Sequence, residues 1–118
     1  MKVVINKCYG GFGLSDKAHE RLIELGVKYY KSFDDLPKNN KELYVVNNSS
    51  YGLSKYYSNF SDYENRTNPL LIQVVEELKD DASGRFGNLR IVEIPDDIQW
   101  EIDEYDGIEK IHELHRSW

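Results

Sequence analysis

The first part of the chain constrains the fold more than any other. Lys2–Asn6 contains three contiguous β-branched residues, which is typical of a short buried strand. Residues 9–15 follow with three glycines in four positions, and so many glycines exclude regular secondary structure there. Ser15 is a good helix N-cap, and Gly26 lies where a helix commonly ends. The sequence therefore predicts a strand that passes through a glycine-rich turn into a helix.

The composition is that of one globular domain. The chain has 118 residues, of which 40% are apolar and 31% charged, a balance typical of folded proteins. A chain of this length suits a single domain, which we assign to residues 1–118. No apolar run approaches the ~20 residues that a membrane span needs, so we expect no membrane partner.

The net charge of −6 disfavours nucleic acid as a partner, because affinity for nucleic acid rests on neutralised phosphates. The five arginines are scattered in sequence, which leaves open a local anion site built from two or three of them. The single cysteine, Cys8, excludes an intrachain disulfide and fits a reducing cytoplasm. We interpret Cys8 as a small buried hydrophobic residue.

Five further segments have readable patterns. Residues 43–46 predict a second strand, and Pro69 begins the clearest helix, since proline is tolerated at the first helical position. Residues 89–94 predict a third strand. Residues 98–103 alternate apolar and polar side chains, which predicts a strand that pairs with residues 89–94 as a hairpin. The apolar spacing in residues 108–114 predicts a last short helix.

These elements predict an α/β (α+β) fold. Residues 27–30 are a possible short extended piece, and residues 47–66 have no clean period, so an ordered loop, a short helix and a lid all remain open. The order β-α-β-α-β-β-α predicts a single small sheet of about four strands with two to three helices packed on it.

The glycine-rich turn is a candidate anion site. Glycines bring backbone N–H groups close to a ligand, Gly11 among them, and a helix N-terminus favours negative charge. Tyr9 and Phe12 flank these glycines and would stack on a base. The pattern is neither the dinucleotide fingerprint nor a P-loop. The alternative is a tight connection whose glycines only permit positive φ.

Three arginines are candidate ligand contacts. Arg66 lies just before the second helix, where a guanidinium and free N–H groups suit a phosphate. Arg85 with Phe86, and Arg116 with Trp118, each couple a cation to an aromatic ring, which suits a nucleotide. The alternatives are an exposed Arg66 that pairs with a nearby acid and aromatic rings that serve only packing.

Metal binding and catalysis find little support in the sequence. The acidic residues 96–106 lack EF-hand spacing, and a strand would send Asp103 and Glu104 to opposite faces, so we interpret them as a solvated face. Single carboxylates there remain candidates for ribose hydroxyls. His112 and His115 lie three apart on the predicted last helix without an evident third ligand. We therefore predict no metal, no cofactor and no catalytic residue.

Several segments of the chain resemble one known family. They are spread over the chain on both sides of residues 27–65, and they are residues 2–6, 8–15, 66–69, 92–97, 104–107 and 115–118. With these motifs the chain resembles the first-described family of phage anti-Thoeris sponge proteins.

The resemblance implies a specific function. Such proteins bind a cyclic ADP-ribose signal made by a bacterial TIR enzyme and do not cleave it, so the immune effector stays inactive in the host cytoplasm. It also implies homo-oligomers, with dimers assembling into hexamers and ligand held near the interface between protomers. Arg66 and Arg116 are the ligand contacts that lie inside matching motifs. An interface site would bring arginines from two chains together.

Two other functions remain open from the sequence. One is an enzyme that acts on a nucleotide through the acidic segment or Cys8. The other is a protein-interaction module that blocks a host factor, with residues 47–66 as its contact loop.

Overall fold

The computed structural model describes residues 1–38, 42–48, 54–84 and 87–113, and these form an α+β fold. The described part of the chain contains seven strands and two α-helices, joined in places by short 3-10 turns. In chain order the elements are β1 (Lys2–Asn6), α1 (Asp16–Glu24), β2 (Lys28–Tyr30), β3 (Tyr44–Asn47), β4 (Tyr56–Ser58), α2 (Pro69–Leu78), β5 (Leu89–Glu93), β6 (Trp100–Tyr105) and β7 (Ile108–Glu113).

The strands form three small sheets. β1 pairs antiparallel with β5, from Lys2 opposite Glu93 to Asn6 opposite Leu89. β3 is the centre of a second sheet, parallel to β2 and antiparallel to β4. β6 and β7 form an antiparallel hairpin. The α+β class is confirmed, whereas the prediction of a single sheet of about four strands is wrong.

Two predictions at the C-terminal end are also wrong. Residues 108–113 form β7 and not a helix, and residue 114 lies outside the described residues. The Asp106-Gly107 turn has positive φ at both positions, which is the geometry that returns one strand antiparallel to another. β6 therefore pairs with β7, while the predicted partner of this segment, β5, pairs with β1.

The local signals for the two helices are confirmed. The Ala18 N–H donates to the Ser15 side chain at the start of α1, with 3.1 Å between N and Oγ. Asn68 caps α2 in the same way by accepting from the Leu70 N–H at 2.9 Å, with Pro69 at the first turn. Each cap satisfies a backbone donor that the helix itself leaves open.

The helices pack on each other and α2 packs on β1 and β5. The main core joins the inner faces of α1 and α2 to Val45 and Phe60, both of which are fully buried. A smaller core of Val3, Ile5 and Ile102 lies between β1 and the β6–β7 hairpin.

The predicted extended piece at residues 27–30 is confirmed as β2, and residues 56–65 contain β4 and two 3-10 turns. Among the described helices, none combines the length and apolarity needed to cross a membrane.

The turn of the hairpin lies directly against the glycine-rich turn. A Cβ at Gly107 would come within 2.3 Å of the Tyr9 carbonyl oxygen and 2.7 Å of the Gly11 nitrogen. Gly107 also has φ +92°, a conformation that disfavours a side chain. This approach holds the hairpin against the start of the chain.

Gly107→Ala is therefore expected to lower the free energy of unfolding by roughly 2 kcal/mol, because backbone strain and a steric clash add. Gly26→Ala is the matched control, since Gly26 has φ +106° but open space where a Cβ would lie. For that control, backbone strain alone should lower the free energy of unfolding by about 1 kcal/mol. Urea denaturation of both variants measures the difference, and equal losses would contradict the role of the close approach.

Candidate functional site

Arg66 is the most deeply buried charged side chain near the glycine-rich turn, with 1% of its surface exposed. Its Nε and Nη2 donate to the Ser61 carbonyl at 3.1 and 2.8 Å, and Nη1 donates to the Val4 carbonyl at 3.2 Å. Nη1 and Nη2 also bind the two carboxylate oxygens of Glu109 at 2.6 and 2.7 Å. All five N–H groups of the guanidinium therefore have partners within the protein.

Glu109 extends this buried network to the glycine-rich turn. Its Oε1 also accepts the backbone N–H of Asn6 at 2.8 Å. The Asn6 amide nitrogen donates to the carbonyls of Cys8 and Gly107 at 2.6 and 2.7 Å, and its oxygen accepts the Asn88 N–H at 2.7 Å. The network thus joins β1, the glycine-rich turn and the β6–β7 hairpin.

The structure brings two of the predicted site residues together. The guanidinium carbon of Arg66 lies 3.8 Å from the ring centroid of Phe12 and 5.3 Å from that of Tyr63, within the range of cation–π attraction. Arg66 therefore lies behind Phe12, paired with an acid but buried rather than exposed. A phosphate would reach its guanidinium only by displacing Glu109.

A cleft of about 200 Å³ opens beside the glycine-rich turn. Phe12 lines it together with β4 and the residues around that strand. The lining combines aromatic rings with hydroxyl and amide groups, and none of its described residues carries a carboxylate. The lining residues are Phe12, Gly13, Leu14, His19, Asn48, Ser54, Tyr56, Tyr57, Ser58 and Ser61.

His19 lines this cleft and is itself buried, with 4% of its surface exposed. Its Nε2 lies 2.9 Å from the Ser58 Oγ. Nδ1 makes no hydrogen bond of normal geometry among the described residues, although the Ser15 backbone is near enough to act on its pKa. Burial lowers the pKa of His19 to about 4, against the raising effect of the Asp16 charge and of Ser15. The imidazole is therefore neutral at pH 7 and presents no charge to the cleft.

The N-terminus of α1 is already occupied by the protein's own groups. Ser15 Oγ accepts the Ala18 N–H, and a carboxylate oxygen of Asp16 accepts the Lys55 N–H at 3.2 Å. Asp16 also places a negative charge at the positive end of the helix dipole. This helix end is therefore less available to a phosphate than the sequence pattern suggested.

The glycine-rich turn sends its two aromatic residues in different directions. Phe12 lines the cleft, whereas Tyr9 is 67% exposed and lies beside the hairpin tip with Tyr105 and Lys110. Gly11 has φ +87° and open space around its missing side chain. The structure therefore does not bring Tyr9 and Phe12 to one site.

The remaining predicted ligand contacts lie outside the described residues. These are Arg85, Phe86 and Arg116, together with Trp118 and His115. Cys8 is half-buried, and its carbonyl accepts a bond from Asn6.

Sequence reasoning missed His19, Tyr56 and Glu109. His19 had a usable signal, since it lies on the apolar face of α1 between Ala18 and Leu22. Glu109 had none, because its partner Arg66 lies 43 positions away. Only the fold brings these two charges together.

Comparison with known proteins gives no match: neither a protein-family model, nor a curated protein, nor a solved structure matches this chain.

Proposed function

We propose that this protein binds a cyclic ADP-ribose isomer made by a bacterial TIR enzyme and holds it uncleaved, so that the Thoeris effector is not activated. The proposal rests on the neutral, aromatic and hydroxyl-lined cleft beside the glycine-rich turn. Rings such as Phe12 and Tyr57 give a base a stacking surface. Ser54, Ser61 and Asn48 offer donors and acceptors to ribose hydroxyls. The family resemblance of residues 2–6 and 8–15 supports the same proposal.

The size of the cleft favours a site shared between protomers. About 200 Å³ is less than the roughly 300–1,000 Å³ typical of small-molecule pockets. A base and its ribose would occupy the cleft, and the phosphates would extend beyond it. Arg85 and Arg116 are the proposed phosphate contacts, contributed across an interface in a homodimer that assembles further into a hexamer.

A sequestration assay tests the proposal. Purified protein is incubated with each cyclic ADP-ribose isomer, and the free nucleotide is measured in the filtrate. We expect depletion at stoichiometric protein, and recovery of the unchanged mass after heat denaturation. Native mass spectrometry of the same mixture reports the oligomer and the bound ligand together. A hydrolysed product, or a filtrate that keeps all of its nucleotide, would contradict the proposal.

Tyr57→Ala is expected to weaken ligand binding by about 10-fold or more, because one base–aromatic stack contributes roughly 1–3 kcal/mol. Tyr105→Ala is the matched control, since Tyr105 is a more exposed tyrosine that lies outside the cleft. Isothermal titration calorimetry with the depleted isomer measures both affinities. Equal ligand affinities for the two variants would show that Tyr57, and therefore this cleft, is not the binding site.

One distance favours a second candidate function, hydrolysis of a nucleotide. Ser58 Oγ and His19 Nε2 lie 2.9 Å apart in the cleft, which is the spacing of a nucleophile and its general base. However, a histidine with a pKa of about 4 is a weak base at pH 7. The mass of the recovered nucleotide distinguishes hydrolysis from sequestration, and a product lost in Ser58→Ala would establish the enzyme.

A further inference from the structure

Three metal-ligating side chains meet on the outward face of the β6–β7 hairpin, away from the cleft. His112 Nε2 lies 2.9 Å from a carboxylate oxygen of Glu101, and its Nδ1 contacts the carboxylate of Asp103. One ligand atom from each of the three residues lies within 4.8 Å of the others. All three side chains are exposed and can exchange with ions from solvent.

The hairpin register holds these side chains in place. Glu101 lies directly opposite His112, and Asp103 is two residues along the same strand, so all three project from one face. The other face carries Ile102 and Glu109, which are buried against the rest of the protein. A slip of the register by one residue would bury the charged face, so the pairing is strongly specified.

Two carboxylates this close repel each other unless a cation lies between them. Lys110, directly opposite Asp103, supplies part of that positive charge. The cluster of one imidazole nitrogen and two carboxylates therefore favours an added cation.

We propose that Glu101, Asp103 and His112 bind a divalent transition metal ion, with Zn²⁺ as the best fit. Imidazole nitrogen and carboxylate oxygen are both ordinary zinc ligands, and three protein ligands leave a fourth position for water. The imidazole disfavours Ca²⁺ and Mg²⁺, which prefer oxygen ligands. The two carboxylates balance the charge of the ion. Binding the ion requires only rotation of these side chains, because the backbone of the hairpin already holds the three residues close together.

The sequence alone does not predict this site. The apolar spacing of residues 108–114 predicts His112 on a helix, and the alternation in residues 98–103 predicts pairing with β5, which separates the imidazole from both carboxylates. The hairpin turn at Gly107 reverses the chain and brings them together.

Zinc titration of the full chain, purified without a histidine tag, tests the proposal. Calorimetry is expected to show one Zn²⁺ per chain in the unmodified protein. His112→Asn, Glu101→Gln and Asp103→Asn should each weaken zinc affinity by at least about 10-fold, since losing even a group that only hydrogen-bonds to a metal ligand commonly costs about 10–100-fold. Asp97→Asn is the matched control, because it removes an exposed carboxylate outside the cluster. This control should keep the original affinity.

A second readout separates the cluster from weak surface binding. Saturating Zn²⁺ should raise the melting temperature of the unmodified protein and of Asp97→Asn, because an ion that binds the folded state stabilises it. The rise should be absent in His112→Asn, and circular dichroism checks that this variant is folded. No saturable binding, or equal zinc affinity in His112→Asn and Asp97→Asn, would overturn the proposal.

Discussion

Replacing Glu109 by alanine is expected to lower the free energy of unfolding by about 3–5 kcal/mol, because removing one partner of a buried ion pair leaves the other charge uncompensated. Arg66 is 1% exposed and would keep its bonds to the Ser61 and Val4 carbonyls, but its positive charge would have no counterion in the network. The Asn6 N–H would also lose its acceptor. Since small domains are stable by only about 5–15 kcal/mol, this one change removes a large share of the total.

Urea denaturation measures this loss. Arg90→Ala is the matched control, because Arg90 pairs with Asp80 at 3.1 Å but both side chains are exposed. Exposed pairs contribute at most about 1 kcal/mol. The double variant Arg66→Met with Glu109→Leu should recover part of the stability, since it removes both buried charges together. A loss at Glu109→Ala no larger than that of Arg90→Ala would contradict the role assigned to the pair.

The stability of the protein is expected to fall by about 3 kcal/mol as the pH drops from 6.5 to 4, through His19 alone. Burial lowers the pKa of His19 from 6.5 to about 4 in the folded protein. Between these values the unfolded chain binds a proton that the folded protein does not, so acid favours unfolding. Well above pH 6.5 the imidazole is neutral in both states and this contribution is constant.

His19→Gln should flatten this part of the stability curve, because glutamine does not titrate. The comparison is between the pH slopes of the two proteins, since titratable groups remote from His19 contribute to both slopes. The imidazole resonances of His19 in NMR give its pKa directly. A pKa near 6.5, or identical slopes for the two proteins, would show that burial does not disfavour the charged imidazole.

The buried pair also changes how a binding test at Arg66 is interpreted. Arg66→Ala would remove the guanidinium that fills the space behind Phe12 and would strand the carboxylate of Glu109. Loss of ligand binding in this variant would then follow from loss of structure. Tyr57 is a better position for testing the proposed sequestration, because it lines the cleft and is not among the described residues of this network.

Local structure was predictable from the sequence where a cap or a run of β-branched residues marked the element. The caps Ser15 and Asn68 satisfy backbone donors only two or three residues ahead. The strand at Lys2–Asn6 follows from its contiguous β-branched residues. These are short-range effects, so the residues themselves contain the information.

The sheet pairing was not predictable in this way. Ile108 and Ile111 suit a helix by their spacing, yet they form a strand because the turn at Asp106 and Gly107 returns the chain onto β6. β5 pairs with β1 and not with β6, and this pairing depends on contacts between residues about 90 positions apart. Helical spacing is therefore overridden by a turn and by long-range packing.

The sequence by itself determined an α+β chain with a strand, a glycine-rich turn and a capped helix at its start. Only the tertiary structure decided that Arg66 pairs with Glu109 behind Phe12, that His19 lines a neutral cleft, and that Glu101, Asp103 and His112 share one face. Caps and turns depend on neighbours in sequence. Ion pairs, clefts and ligand clusters depend on distances between remote residues, which strand pairing and the packing between elements set.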